Sequence, residues 1–154
     1  SGNYGVALYA LTDLGVRTRD LLFELAMFGG RFAPDAELHR PGNLRTIAVT
    51  LTAACQRVVT PDLNFEAELR IDGELFALAV GDSSVEVRYA AAKDPDVIMT
   101  TSYEPMMAAS EGEMAMDRFL KDHVQIVVRT LGKDRELMTL LGATMKLFSR
   151  ESEH

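Results

Sequence analysis

Residues 65–89, FEAELRIDGELFALAVGDSSVEVRY, constrain the fold more than any other part of the chain. Asp72-Gly73 is a strong signal for a two-residue hairpin turn, because both turn positions need a positive φ, which glycine adopts freely and aspartate tolerates. The polar run 81–84 predicts a second reversal of the chain. The segment is therefore predicted to form three antiparallel strands joined by short turns.

The two turns also determine which residues stand opposite one another. The predicted cross-strand pairs are Ile71 with Glu74, Leu69 with Phe76, Ala67 with Leu78, Phe65 with Val80, Val80 with Val85, Leu78 with Val87 and Phe76 with Tyr89. All of these lie on one face of the sheet, because side chains alternate along a strand. The opposite face is predicted to be in contact with solvent and collects the charged residues Glu66, Glu68, Arg70, Glu86 and Arg88. Other parts of the chain must cover the apolar face.

The remaining segments supply helices and two more strands. Helical spacing of apolar residues predicts helices at 43–57, 114–121 and 134–148, and a further helix that Ser102 caps and that stops near Gly112. Short apolar runs between turn residues predict strands at 97–101 and 124–131. Strands in one run with helices clustered afterwards are typical of an α+β fold. The prediction is a five-stranded, largely antiparallel sheet with helices covering one face, preceded by a long N-terminal helix.

Composition excludes several classes of protein. The chain has 154 residues and is 47% apolar, which is enough for a core, and its net charge of −7 argues against a nucleic-acid surface. Its one cysteine, Cys55, excludes an internal disulfide framework and favours a cytoplasmic location. No apolar run approaches the roughly 20 residues of a membrane span, so no membrane association is expected.

The sequence contains few signals for chemistry. His39, His123 and His154 lie far apart and lack a second ligand at metal spacing, so no metal site is expected. Cys55 has no nearby histidine or second cysteine, and no nucleophile elbow, phosphate loop or dinucleotide fingerprint is present. The chain is therefore expected to be neither an enzyme nor a cofactor-binding protein.

Methionine is the unusual residue type. The later elements gather Met99, Met106, Met107, Met114, Met116, Met138 and Met145. These side chains fit either ordinary core packing or a deformable apolar cavity, since methionine adapts to irregular spaces and ligand pockets are mostly apolar. Composition leaves both interpretations open.

Residues 1–42 form the first predicted unit, an amphipathic helix followed by a linker. Its apolar stripe must dock either on the sheet domain of its own chain or on a second subunit. Residues 8–32, LYALTDLGVRTRDLLFELAMFGGRF, resemble the end of an HxlR-type winged-helix transcription regulator. The positions that carry this resemblance are Tyr9, Leu11, Thr12, Gly15, Gly29 and Phe28, the last standing where the family often has tryptophan.

This resemblance implies a homodimer, because the long helix commonly forms the dimer interface in such regulators. The interface residues that it implies are Leu14, Leu21, Leu25 and Phe28. It also implies that the DNA-reading helix-turn-helix lies upstream and is missing from this chain. DNA contact is therefore expected only through that N-terminal part.

Residues 44–148 resemble a sterol-carrier-protein type domain, within a second predicted unit at 43–154. The matching segments are ELRIDGELFALAV, VEVRYAAAKDPDVIMTT, EPMMAASEGEMAMDRFL and VQIVVRTLGKDRELMTLLG. The family implies an apolar tunnel between sheet and helices that accepts fatty acyl or sterol-like molecules. The residues expected to line it here are Phe65, Phe76, Leu78, Met99, Met106, Met107, Phe119, Met138, Leu141 and Met145.

Together these observations predict the effector-binding or dimerisation portion of a bacterial transcription regulator, with an apolar ligand between sheet and methionine-rich helices. The alternative is a protein-interaction or dimerisation module whose interior is fully packed and holds no ligand.

Overall fold

The computed structural model describes residues 45–151, together with the helical residues Gly15, Thr18, Leu21, Glu24 and Leu25. Residues 45–151 contain four helices and five strands, in the order α1 (Arg45–Val58), β1 (Phe65–Ile71), β2 (Glu74–Gly81), β3 (Ser84–Arg88), β4 (Val97–Thr101), α2 (Tyr103–Ser110), α3 (Met116–His123), β5 (Gln125–Val128) and α4 (Lys133–Glu151). The predicted α+β class is confirmed. Of the predicted dimer residues, Leu14 and Phe28 lie outside the described residues.

The five strands form one mixed sheet in the order β3-β2-β1-β4-β5. Strand β1 is central, and it pairs antiparallel with β2 and parallel with β4. The pairs β2 with β3 and β4 with β5 are antiparallel, which confirms a largely antiparallel sheet. The parallel pair requires a crossover between β3 and β4, because the chain must pass from one edge of the sheet to the far side of β1.

Both hairpin turns have the backbone conformation that the sequence predicts. Asp72 and Gly73 have φ values of 50° and 82°, and the second turn uses Asp82 and Ser83 at 51° and 58°. The β1–β2 and β2–β3 registers agree with the predicted pairs as far as Arg88, where β3 ends. The last predicted pair, Phe76 with Tyr89, is therefore not part of the ladder, although the two rings meet edge to face with centroids 5.4 Å apart.

Helices α1 and α4 cover the apolar face of the sheet. Helix α1 packs against β3 and α4, and α4 packs against β1, β4 and β5. Where the two helices meet, Cys55 Sγ lies 3.4 Å from Thr144 Oγ1, and both residues are buried. The core between helices and sheet includes Leu69, Ile71, Phe76, Leu78, Leu137 and Leu140, none of them more than 1% exposed.

The opposite face is not simply a solvent face, so the prediction for Glu68 is wrong. Glu68 is only 5% exposed, because the crossover loop 89–96 lies over this side of the sheet. The backbone N–H of Ala92 donates to Glu68 Oε2 (3.1 Å), while Arg70 Nη2 lies 2.7 Å from Glu68 Oε1. Strand alternation assigns a face to each side chain but contains no information about a distant loop.

The elements after β4 differ from their predicted bounds for identifiable reasons. Ser102 precedes α2 but makes no side-chain cap bond; instead, the N–H of Tyr103 donates to Asp72 Oδ2 at 3.1 Å. Strand β5 ends at Val128 and not at Leu131. It ends there because the N–H groups of Arg129 and Thr130 both donate to the Asp96 carbonyl, at 2.8 and 3.0 Å.

The carboxylate of Asp96 ties β4 to β1 and makes stability depend on pH. It accepts the N–H of Glu66 at 2.9 Å, and this bond, with one from the Thr130 side chain, lowers the pKa of Asp96 below its ordinary 3.8. A carboxyl whose pKa is lowered on folding stabilises the protein above its unfolded pKa and loses that contribution as the pH falls through the folded pKa.

We therefore expect Asp96→Asn to reduce the loss of stability between about pH 5 and pH 2, the range over which native carboxylates protonate. Urea unfolding at a series of pH values measures this slope. Glu86→Gln, an exposed carboxylate on β3, is the control and should leave the slope close to that of the unsubstituted protein. If Asp96→Asn and the unsubstituted protein lost stability equally as the pH falls, the role given to the Asp96 carboxylate would be wrong.

Candidate functional site

The predicted lining residues on the sheet lie in a closed core. Phe65, Phe76, Leu78 and Met99 are all 4% exposed or less, and they share one cluster with the buried leucines of α4. Among the described residues, Met106 and Leu141 pack against that cluster from the helical side. The sheet side of the predicted site is therefore occupied by the protein's own side chains.

The helical side is different, because α4 carries two apolar stripes. Leu137 and Leu140 are fully buried and form the first, which the equally buried but polar Thr144 continues. The residues that follow each of them, Met138, Leu141 and Met145, are only partly buried. One residue rotates a helix by about 100°, so these three form a second stripe beside the first. We call Met138, Leu141 and Met145 the methionine stripe.

Helices α2 and α3 supply the rest of the predicted set. Helix α2 contacts both α3 and α4, and it carries the half-buried Met106 and Met107. Phe119 of α3 is buried, at 3% exposure. The structure thus places Met106, Met107 and the methionine stripe on contacting helices, where their side chains are neither fully packed nor fully solvated.

A polar residue that sequence reasoning missed lies at the start of α2. Tyr103 is half-buried and packs against the core cluster. Burial raises the pKa of Tyr103, and the charge of Glu111 adds to the effect, so the hydroxyl stays protonated at neutral pH. The sequence signal for this residue is an aromatic side chain directly after a helix-capping position.

Comparison with known proteins gives likenesses to solved structures only. No family model and no curated protein matches the chain. It is similar to a UbiJ-SCP2 ubiquinone synthesis protein, with 15% identity, a TM-score of 0.42, and coverage of 81% of this chain and 96% of that one. It is also similar to sterol carrier protein domain 2 of Helicoverpa armigera, with 15% identity, a TM-score of 0.41, and coverage of 90% and 87%.

A third solved structure is a conserved hypothetical protein, possibly sterol carrier protein, from Thermus thermophilus. It shares 8% identity with this chain at a TM-score of 0.41, and the match covers 96% of this chain and 93% of that one. Identities this low do not carry over a ligand, so any function must rest on this chain's own residues.

An open cleft of about 360 Å³ lies at a different place, where β1 begins and β2 ends. Its lining includes four carboxylates, Glu66, Asp82, Glu86 and Asp96. Charged oxygens are costly to desolvate, so an apolar molecule is not expected to bind there. The cleft is therefore distinct from the apolar region on the helical side.

The chain's cysteine is unsuited to nucleophilic chemistry. Burial raises the pKa of Cys55 to about 11, an effect that its hydrogen bond with Thr144 only partly offsets. The thiol is therefore protonated at neutral pH, and the thiolate is the reactive form. Within the part of the chain that the structure describes, no three His, Cys, Asp or Glu side chains are grouped so that they could hold a metal ion.

None of the described helices combines the length and the apolar character that crossing a membrane requires.

Proposed function

We propose that this chain binds an apolar, lipid- or sterol-like molecule along the methionine stripe of α4, between that helix and α2. The observation that carries the proposal is the second stripe itself. A helix with one core-facing side needs a single apolar stripe, but α4 has two, and the second is only partly buried. Partly buried apolar side chains gain further stabilisation when a ligand removes them from water.

The packing indicates that the helical side of the site, and not the sheet side, can make room for a ligand. Phe76 and Leu78 are already fully buried in the core cluster that also contains Leu137 and Leu140, so displacing them would open a cavity at a cost of several kcal/mol. Met106, Met107, Met138 and Met145 are unbranched and flexible, so they can move aside at less cost.

We further propose that the domain is the effector-binding part of a homodimeric transcription regulator, as the sequence resemblance implies. Leu21 and Leu25 of the N-terminal helix are 60% and 56% exposed, which suits an interface with a second subunit. Arg57 Nη2 lies 3.1 Å from Glu24 Oε1, so this helix is joined to α1 of the domain. A ligand that binds one arrangement of the helices better than another shifts the population of arrangements.

The ligand proposal is tested with Met138→Lys, followed by titration of a fluorescent long-chain fatty acid and by native mass spectrometry. A lysine ammonium within the stripe must be desolvated when an apolar chain binds, so we expect affinity to fall by at least about tenfold. The matched control is Thr139→Lys, which places the same charge at the next residue, an exposed position outside the stripe. It should bind as the unsubstituted protein does.

Absence of saturable uptake by the unsubstituted protein would overturn the proposal, and so would equal losses in both variants. The remaining function would then be the alternative, a packed interaction or dimerisation module. The fully buried sheet side of the predicted site favours that alternative. In either case we propose a binding role and not catalysis, consistent with a cysteine whose thiol is buried and protonated.

A further inference from the structure

Strand β5 is an unusually apolar edge of the sheet. It lies at the end of the sheet beyond β4, and each of its four residues is exposed. Ile126, Val127 and Val128 are 38%, 57% and 44% exposed, and Leu131 just after the strand is 97% exposed. The exposed side chains point to both faces of the sheet, because neighbouring residues alternate.

The other edge strand, β3, carries charged side chains that protect it from pairing with a further strand. Strand β3 buries Val85 and Val87 and exposes Ser84, Glu86 and Arg88. Charged side chains on an edge strand disfavour pairing with another strand. No residue of β5 carries a charge, so the two edges of one sheet differ in the feature that controls edge-to-edge contact.

The hydrogen bonds within the sheet show which backbone groups of β5 face outward. The Thr101 carbonyl points toward β1, where it accepts the N–H of Asp72 at 3.2 Å. Backbone groups alternate along a strand, so those of Ile98 and Thr100 point toward β5 and meet their partners Val127 and Gln125. Ile126 and Val128 consequently direct their N–H and carbonyl groups away from the sheet.

We propose that β5 pairs antiparallel with β5 of a second copy of this chain, about a two-fold axis at Val127. This register places Ile126 opposite the partner's Val128, and Val127 opposite the partner's Val127. Gln125 then stands opposite the partner's Arg129. The outward backbone groups of Ile126 and Val128 form the hydrogen-bonded pairs, and the Val127 pair is the closely spaced, non-hydrogen-bonded kind.

Self-complementarity points to a second copy as the occupant. A shift of the axis by one residue toward Ile126 would place Gln125 opposite a valine, and the same shift toward Val128 would place Arg129 opposite one. Only the register about Val127 matches apolar with apolar and polar with polar. The chain also carries a net charge of −7, so two copies repel least where no acidic residue lies on the contact strand.

The size of the contact sets its strength. Four residues of strand span about 13 Å, which is small compared with a stable protein interface, so the pairing is expected to be weak by itself. The β5 pairing is separate from the exposed N-terminal Leu21 and Leu25, and it does not depend on ligand binding.

The test is disulfide trapping with Val127→Cys under mild oxidation, followed by non-reducing electrophoresis. A non-hydrogen-bonded antiparallel pair has its Cα atoms about 4.5 Å apart, within the range that a disulfide spans. Val127→Cys should therefore form a covalent dimer. The matched control is Gln125→Cys, exposed on the same face of the same strand. Its two copies would lie four residues out of register, about 13 Å apart, so it should form no covalent dimer.

A second measurement keeps the result independent of disulfide chemistry. In a Leu21→Glu, Leu25→Glu background, which places charges at the exposed leucines of the N-terminal helix, sedimentation velocity should show mass increasing with protein concentration. Adding Val127→Lys should abolish that increase, because two ammonium groups would stand directly opposite each other. Cross-linking of Gln125→Cys as fast as Val127→Cys, or no concentration dependence in that background, would overturn the proposal.

Discussion

Replacing Phe76 with alanine is expected to lower the free energy of unfolding by about 3–5 kcal/mol. Phe76 is fully buried on β2, opposite Leu69 and against the ring of Tyr89, so its removal leaves a cavity in the core. The total stability of a domain is about 5–15 kcal/mol, so this one change removes a large part of it. Urea unfolding followed by far-UV circular dichroism measures the difference.

Leu75→Ala is the matched control for Phe76→Ala. Leu75 is the preceding residue of the same strand, and its side chain lies on the opposite face, where it is only half-buried. We expect a cost of about 1 kcal/mol. Similar costs for the two substitutions would show that the register about Asp72-Gly73 does not decide which face is the core.

Replacing Glu68 with lysine is expected to cost about 2–4 kcal/mol, because it leaves a buried cation beside Arg70. The effect is below that of a fully buried pair because the Arg70 side chain is 44% exposed and can turn to water. The substitution also removes the acceptor of the Ala92 N–H. Amide hydrogen exchange at Ala92 should therefore become faster, together with a lower urea midpoint.

Glu66→Lys separates the burial of Glu68 from its charge. Glu66 lies on the same strand and the same face, two residues earlier, but it is exposed beside other carboxylates. Surface substitutions of this kind usually change stability by less than about 0.5 kcal/mol. If Glu66→Lys were as costly as Glu68→Lys, net charge and not the crossover loop would be the cause.

The parts of the fold that sequence reasoning predicted depend on local chemistry. Asp72-Gly73 has the positive φ values that a two-residue turn needs, and a turn fixes the register of the strands on either side. The registers of β1 with β2 and of β2 with β3 therefore followed from a few neighbouring residues. Helix α4 was predicted in the same way, from the spacing of its apolar residues.

The features that were missed involve residues distant in sequence. Nothing near Val97 indicates that β4 pairs parallel with β1, because that pairing depends on where the crossover loop runs. For the same reason Glu68 was assigned to solvent, although Ala92, far along the chain, covers it. The Asp72 carboxylate, and not the Ser102 side chain, accepts the N–H of Tyr103 at the start of α2, and Asp72 and Tyr103 meet only in the folded chain.

In the candidate site, too, the local features could be predicted from the sequence and the features that depend on distant residues could not. Sequence spacing identified Met138, Leu141 and Met145 as apolar residues of α4, but spacing alone does not show that they are less buried than Leu137 and Leu140. The division into a buried and a partly buried stripe depends on how α4 is rotated against the sheet and its neighbouring helices, which the folded chain decides. Sequence alternation likewise placed Phe76 and Leu78 on the covered face without showing that both side chains are already fully buried in a closed core.

The seam between α1 and α4 gives the protein a natural reporter of its own opening. Cys55 is the sole thiol in the chain and lies against Thr144, at 1% exposure. A thiol-reactive dye can reach it only after the two helices separate, so the labelling rate measures how often that separation occurs. Any molecule that holds the helical layer closed slows the reaction, and any molecule that wedges it apart accelerates it, with no engineered label.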